Sequence, residues 1–482
     1  MTRRIVGPFN RVEGDLEVTL DIEGGRVRAA YVNSPMYRGF EQILVGKHPL
    51  DALAYVPRIC GICSVAQSAA AAQALAQAMG LQAPENGRLA ANLTLAVENL
   101  ADHLSHFYLF FMPDFARDGY RERAWFADAQ ARFKAVSGSA VADAMPVRAK
   151  FMNAMAYLAG RWPHTLALQP GGSSRPLEEA ERLRLKILLA EFRGFLERTL
   201  FGDRLEAVAA LDSEAALYAW TEPRAQRADF PRFLHIARDQ ELQRMGRATD
   251  RFISYGAYRD GDTALFRSGL WADGKLQPLD IGDIREDVSS SWMSGDLALA
   301  PEEGRSLPQP DKPGAYSWCK SPRLSGQVVE TGALARQMMD GHPLAHDLVS
   351  RYGGSVTARI VARMLELALV IPAMEGWLHR IQPGAPFCVQ ADEIGDARGV
   401  GLIEAARGGL GHWLDVREGK IYNYQIVAPT TWNFSPRDAD GEPGPLEQAL
   451  VGLPADEGSD AAPLAVQHVV RSFDPCMVCT VH

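Results

Sequence analysis

Apolar and polar residues alternate along 16–22 and again along 27–32, with Gly24-Gly25 between them. Period-two alternation on either side of a glycine pair predicts an antiparallel hairpin near the start of the chain. From about 49 to 112 the period changes: stretches rich in Ala and Leu, such as 89–111, set apolar residues three and four positions apart, as one face of a helix requires. The same pattern returns at 177–200 and 355–381, with Glu early and Arg or Lys throughout, and predicts two more long helices. Gly, Asp, Pro and Ser crowd 253–330, which reads as irregular structure with short strands. Residues 420–428 read as a strand before the turn-rich 429–445, and no fixed-period repeat is present. The expected fold is mainly α with small peripheral β-sheets, an α+β chain forming one intertwined unit over 1–482. Its parts are an N-terminal sheet at about 1–48, a helical core at about 49–252 and 355–415, an irregular and β elaboration at about 253–354, and a C-terminal strand and end segment at about 416–482.

Composition narrows the class. With 482 residues and 47% hydrophobic content, the chain can bury one very large core or two to three ordinary ones. A formal charge of −9 without a basic run argues against nucleic acid as a partner. The opening MTRRIVGPFNRVEGD has no apolar stretch of signal-peptide length. The most apolar helical stretch, 360–378, is interrupted by Arg363, Glu366 and Glu375, so no membrane span is expected and a cytoplasmic location is. Six cysteines are too few for a disulfide scaffold, and four of them form two Cys-x-x-Cys pairs.

Cys60-Gly-Ile-Cys63 follows Pro57 and Arg58, and Cys476-Met-Val-Cys479 follows Pro475 three residues before the last residue, His482. Two intervening residues let both sulfurs turn toward one metal, and four thiolates from two such turns make a soft metal site. A structural zinc site is the plain alternative, but structural zinc usually staples a loop of roughly 15 to 20 residues. Here the pairs lie 413 residues apart (476 − 63), the mark of a functional centre rather than a staple. A thioredoxin-like redox pair would need one such motif at a helix start, not two. Cys319 and Cys388 stand alone and read as small buried hydrophobes.

Arg58-Ile-Cys-Gly-Ile-Cys63 and Asp474-Pro-Cys-Met-Val-Cys-Thr-Val-His482 resemble the first and last signatures of nickel-iron hydrogenase large subunits. The resemblance runs over nearly the whole chain, through Arg11-Val-Glu-Gly14, Arg38-Gly-Phe-Glu41, Lys320-Ser-Pro-Arg323, Glu330-Thr-Gly-Ala-Leu-Ala-Arg336, Glu404-Ala-Ala-Arg-Gly408 with Gly411-His412, Asn423-Tyr-Gln425 and Pro429-Thr-Thr-Trp-Asn433. Each motif alone is weak; their order is specific.

The resemblance implies a large-subunit-like helical core in which both chain ends meet at a bimetallic centre, and heterolytic cleavage of H2 to protons and electrons. Cys60 and Cys476 would be terminal nickel ligands, and Cys63 and Cys479 would bridge nickel to an iron carrying two cyanides and one carbon monoxide. Arg407, Pro429 and Thr430 are similar to the groups that hold the cyanides. Dihydrogen is a very weak acid, so its cleavage needs a metal that polarises the bond and a nearby base that takes the proton. Cys476 resembles that base and Glu13 the first proton relay. Glu41, His482 and the backbone carbonyl of Ile426 are similar to ligands of a Mg2+ ion. The chain lacks further cysteines for iron-sulfur clusters, so a small subunit bearing them is implied. Maturation and metal-insertion proteins are implied as well.

Departures from the family pattern point to its regulatory, H2-sensing branch, which signals to a histidine kinase. Gln67 stands where His is usual, and glutamine cannot carry a proton at neutral pH. Ile62 and Phe110 are larger than the usual Val and Leu, and would narrow a gas route against oxygen if both line it; ordinary core packing is the plain alternative. Asp15 stands where His is frequent, and Ala333 and Ala406 where Pro is frequent. Family precursors usually carry an extension beyond the final His; an end at His482 fits either a processed form or a sensor member that never had one. The rival expectations are an uptake hydrogenase feeding respiration, a metal-free homologous subunit, and a zinc-stapled structural protein.

Overall fold

The structure, a computed structural model, describes residues 2–391, 394–456 and 463–482. The hairpin predicted near the start is formed by Glu17–Glu23 and Arg26–Asn33, with Gly24 and Gly25 turning at φ 61° and 72°. Positive φ costs glycine nothing sterically, because it has no Cβ. A strand not foreseen, Thr2–Val6, pairs antiparallel with the first and completes a three-stranded sheet. Its inward row, Val18, Leu20 and Ile22 with Val27, Ala30 and Val32, is buried in the main core.

Long helices form the centre. Glu85–Ser105 packs against Ser139–Met152 and against Val356–Arg380, which also meets Glu179–Phe195. Val356–Arg380 starts where the Ser355 hydroxyl accepts the Ala358 N–H at 3.2 Å, satisfying one of the orphan donors of a first turn. Two of the three charges that interrupt its apolar sequence, Arg363 and Glu366, lie inside, Glu366 taking both Arg336 and His103 as partners, while Glu375 reaches the surface and pairs with Arg193. Among the described residues, no helix is long and apolar enough to cross a membrane. Glu85–Ser105 runs on into a wide π-helical turn, His106–Phe111, a local widening often found beside functional sites.

Two regions differ from expectation. The stretch read as irregular with short strands does hold strands, but longer and more regular ones than expected, in an antiparallel meander of Phe252–Asp260, Thr263–Ala272 and Lys275–Gln277. Its first strand is buried on both faces from Phe252 to Tyr258, so no alternation of apolar and polar residues marks it. Part of the expected second helical segment, 397–415, is strand instead: Ala397–Ala405 and Gly408–Arg417 join Lys420–Val427 in a sheet.

Glycines hid those strands, and packing demands them. Helix Ser64–Ala78 lies flush on Ala397–Ala405, where a Cβ on Gly401 would come 1.9 Å from the Ala70 carbonyl oxygen and one on Gly399 2.0 Å from that of Ala74. The edge strand's N–H groups are met by the helix, Leu402 donating to Gln73 Oε1 at 3.1 Å and Val400 to Gln77 Oε1. This contact positions chemistry at both ends, since the helix begins at Cys63 and the strand ends two residues before Arg407. Cys60, Cys63, Cys476 and Cys479 belong to the main apolar core, while Ile253, Tyr255, Trp413 and Trp432 anchor a smaller second cluster.

Candidate metal centre

Three distant segments converge. Cys63 stands at the N-terminus of helix Ser64–Ala78, and Cys476 at that of the short helix Met477–Thr480. Residue Glu13 lies alongside Cys476 in a parallel bridge, with Met477 N–H donating to the Glu13 carbonyl at 2.7 Å. Arg38 ties the assembly: its N–H donates to the Val481 carbonyl at 3.1 Å, and its guanidinium donates to the carbonyls of Arg58 and Ile59. Helix Ser64–Ala78 is held at its start by buried Glu98, which accepts N–H groups from Val65 and Ala66 at 2.9 Å and the Trp162 indole N–H at 2.8 Å. Burial pushes that carboxyl up to about 8 against the pull of these donors.

The result is a group of four buried sulfurs within 4.8 Å of one another. Cys63 and Cys479 are 3.0 Å apart, Cys476 and Cys479 2.9 Å, and Cys60 and Cys476 3.4 Å. All four are free thiols. Ile62 and Cys63 N–H groups donate to Cys60 Sγ at 3.3 and 3.4 Å. Hydrogen bonding with Cys476 draws Cys60 well down toward thiolate and drives Cys63 up, while burial raises Cys476 and Cys479. Four thiols this close cannot all ionise unaided, because each new charge repels the last in a medium without water. A soft cation supplies the missing positive charge, so the donor set fits such a metal. Among the described residues no other group of three or more such donors converges.

Beside the sulfurs lies Arg407, 3% exposed. Its Nε donates to the Asp474 carbonyl at 2.9 Å, its Nη2 reaches Asp474 Oδ1 at 3.1 Å, and its Nη1 lies 2.8 Å from Asp102 Oδ2. Burial alone would lower the guanidinium, but the two carboxylates hold it firmly charged. Burial raises Asp102 to about 7, while for Asp474 the pull of Arg407 wins and the carboxyl lies below its ordinary value. The Nη1 contact has ion-pair distance without hydrogen-bond alignment, so a buried N–H remains without an acceptor. Thr430 Oγ accepts the Cys476 N–H at 3.1 Å, its one hydrogen bond among the described residues, leaving its own proton available. Pro429 opens the short helix that carries it.

A second polar site adjoins the first. His482 Nδ1 is 2.6 Å from the Cys479 carbonyl and must donate to it, while Nε2 lies 3.2 Å from Glu41 Oε1. Nε2 and a carboxylate oxygen this close need a proton or a cation between them. Burial works against the Glu41 charge, yet Lys320 and His482 hold its carboxyl down to about 2. The Ile426 N–H donates to the same Glu41 oxygen at 2.7 Å.

Other expected residues fall as follows. Glu13 is half-buried, and its carboxyl is raised by burial and by Cys60. Ile62 and Phe110 are both half-buried, Phe110 on the π-helical turn with its carbonyl accepting from Arg11 at 3.1 Å. Gln67 is buried, with Oε1 2.9 Å from His412 Nε2. Cys319 is buried, as expected of a lone cysteine; Cys388 is not, sitting half-exposed next to exposed Val389. Asp102, Asp474 and Glu98 were not singled out by the sequence reading. A signal existed for two of them: Glu98, Asp102 and His106 recur every four residues along one buried face of the helix and of the π-helical turn that continues it.

A family model described as nickel-dependent hydrogenase matches residues 38–117 and 114–482. The chain belongs to that family. The periplasmic [NiFeSe] hydrogenase large subunit of Desulfomicrobium baculatum is 31% identical over 99% of this chain and 94% of its own. The hydrogenase-2 large chain of Escherichia coli is 27% identical over 100% of this chain and 97% of its own. A solved structure of the D. baculatum [NiFeSe] hydrogenase superposes with a TM-score of 0.86 at 30% identity, covering both chains completely. The mainly helical fold with small antiparallel sheets is therefore that of hydrogenase large subunits.

Proposed function

We propose that this chain is the active-site subunit of a nickel-iron hydrogenase of the H2-sensing branch. The observation that carries the catalytic reading is the convergence of Cys60, Cys63, Cys476 and Cys479 from opposite ends of the chain. Cys60, Cys63, Cys476 and Cys479 would together hold the nickel and an iron that bears two cyanides and one carbon monoxide. When bound, the centre supplies Lewis acidity that polarises H2 and two-electron redox capacity.

The chain's own residues handle the proton and the pocket. Cys476 Sγ, presented beside the Glu13 segment, would take the proton released from H2. Glu13, paired with the Cys476 segment and itself raised by burial, receives that proton next at its carboxylate. Arg407 Nη1 and the Thr430 hydroxyl, each with a proton to give, would hold the cyanides, with Pro429 beside them. Glu41, His482 and the Ile426 carbonyl would hold Mg2+, a cation that answers the close approach of Glu41 Oε1 and His482 Nε2. With one convergent metal group among the described residues, electrons would leave through a small subunit carrying iron-sulfur clusters. Maturation proteins would load the metals.

The sensing role is supported by Gln67, Ile62 and Phe110. It carries with it a histidine kinase as the downstream partner and a cytoplasmic location. The D. baculatum relative is periplasmic by name, so fractionation of cells decides the location of this chain. Infrared spectra of the purified complex under H2 test the catalytic reading: cyanide and carbonyl bands are expected, and their absence, with elemental analysis showing zinc without nickel, would overturn it. Slow dye reduction under H2 is expected of a sensor, and fast reduction favours an uptake hydrogenase.

A further inference from the structure

Glu13 meets Cys476 through backbone contacts that do not by themselves choose a partner. The Glu13 N–H donates to the Pro475 carbonyl at 3.4 Å and the Met477 N–H to the Glu13 carbonyl at 2.7 Å, bonds that almost any residue could make. Gly14, at φ 78°, lies close against Met477 and Val478, where a Cβ would come 3.1 Å from the Val478 nitrogen. Successive side chains of an extended segment point to opposite faces, so a slip of one residue would swing the Glu13 carboxyl to the other side. Groups outside the bridge must therefore set its register.

Asp114, fully buried in the turn Met112–Ala116 that follows the π-helical one, reaches both segments. Its Oδ1 accepts from Arg11 Nη2 and lies 3.1 Å from Arg117 Nε, and its Oδ2 accepts from Arg471 Nη1 at 2.6 Å. Arg11 precedes Glu13 by two residues, and Arg471 precedes Cys476 by five. Arg471 Nη2 also donates to the Asn10 carbonyl and to Asn10 Oδ1, both at 2.8 Å, which ties the two segments directly. Arg11 Nη1 donates to the Phe110 carbonyl at 3.1 Å. With φ at 56°, Arg11 is in a left-handed conformation that a residue with a Cβ avoids unless its surroundings hold it there. Burial works against the Asp114 charge, yet Arg471, His468, Arg11 and Arg117 hold its carboxyl below the ordinary value. A buried carboxylate shared by two arginines penalises other arrangements, because a displaced guanidinium would leave a charge unpaired away from water.

We propose that Asp114 is a positioning residue: by holding Arg11 and Arg471 together it sets the register in which the N-terminal segment presents Glu13 beside Cys476. The inference rests on the proposed function, because it needs Glu13 to receive the proton. Misplacing a reacting group by about 1 Å can cost on the order of 10²-fold in rate.

The test uses the complete complex with its partner subunit. Asp114→Asn keeps the shape of the side chain and removes its charge. Arg11→Lys is the milder variant, since the Arg11 side chain is 17% exposed and an ammonium lacks the planar fork that grips the Phe110 carbonyl and Asp114 at once. Both are expected to lower H2-dependent dye reduction, Asp114→Asn by about 10²-fold, with the infrared bands of the centre retained. Neither should lower it further in a Glu13→Gln background, where the relay is already gone. A second readout needs no turnover. Backbone hydrogen exchange in the peptide 475–482, which carries the Met477 amide, should quicken in both variants while that of Glu179–Phe195 stays at the wild-type rate. Unchanged exchange in 475–482 overturns the inference, as does a full further loss in the Glu13→Gln background. Faster exchange across the whole chain overturns it too, since that marks a merely structural role. If Glu13→Gln turns over at the wild-type rate with its bands intact, the relay reading falls and this inference with it; if Glu13→Gln is slow and Asp114→Asn is not, this inference alone falls.

Discussion

Replacing Gly401 with alanine probes how the fold sets the metal site. The new Cβ would lie 1.9 Å from the Ala70 carbonyl oxygen, whereas real Cβ contacts stay at or beyond 3.0 Å. Helix Ser64–Ala78 and strand Ala397–Ala405 must therefore part by at least 1.1 Å (3.0 − 1.9). Overpacking of this kind costs about 1–3 kcal/mol. For a chain of 482 residues, an unfolding entropy of roughly 2.1 cal/mol/K per residue gives about 1 kcal/mol/K, so melting falls by only about 1–3 °C. The centre is the more sensitive reporter. Metal-ligand distances tolerate about ±0.2 Å, and the displaced elements carry Cys63 at one end and lead to Arg407 at the other. Nickel and iron per chain, measured by elemental analysis of purified Gly401→Ala complex, should fall well below wild type while the melting temperature barely moves. Wild-type metal content in that variant would refute the claim that this contact sets the position of Cys63.

Three further outcomes are expected. Glu13→Gln removes the carboxylate that receives the proton and should lower H2-dependent dye reduction about 10²–10⁴-fold, with the infrared bands of the resting centre retained. Ile62→Val with Phe110→Leu should make the enzyme more readily inactivated by oxygen; inactivation at the parent's rate would end the idea of a narrowed gas route. Glu447 accepts the Val32 N–H and the Tyr316 hydroxyl, both at 2.8 Å, and burial raises its carboxyl from 4.5 to about 7. The folded state then holds a proton that the unfolded state gives up, so this stability is full below pH 4.5 and is lost as pH rises toward 7, about 3 kcal/mol in all. Glu447→Gln keeps an acceptor without the charge, and chemical unfolding should show a flatter pH profile across that range.

How much of this was readable beforehand depends on what each residue had to satisfy. The long helices were legible because an apolar stripe at three-and-four spacing survives whatever packs on it. Strands were expected in the stretch that holds Phe252–Asp260, but not one of that length, because burial on both faces erases alternation, and Ala397–Ala405 was masked by the glycines that let a helix lie on it. The four cysteines were legible from spacing and chemistry, since two paired turns at opposite ends of a chain have few other uses. Asp102 escaped notice because a carboxylate on a helix usually faces water; only its recurrence with Glu98 and His106 on one buried face distinguishes it. The joining of Arg11 and Arg471 on Asp114 was invisible in sequence, as its members come from both ends of the chain and a turn between them that only the fold brings together.

Anomalous X-ray scattering from crystals of the complete complex, collected on either side of the nickel and iron absorption edges, reaches the central claim most directly. The account predicts one nickel and one iron peak among the sulfurs of Cys60, Cys63, Cys476 and Cys479. A single zinc peak at that position, or four sulfurs with no metal in a preparation that cleaves H2, would contradict it.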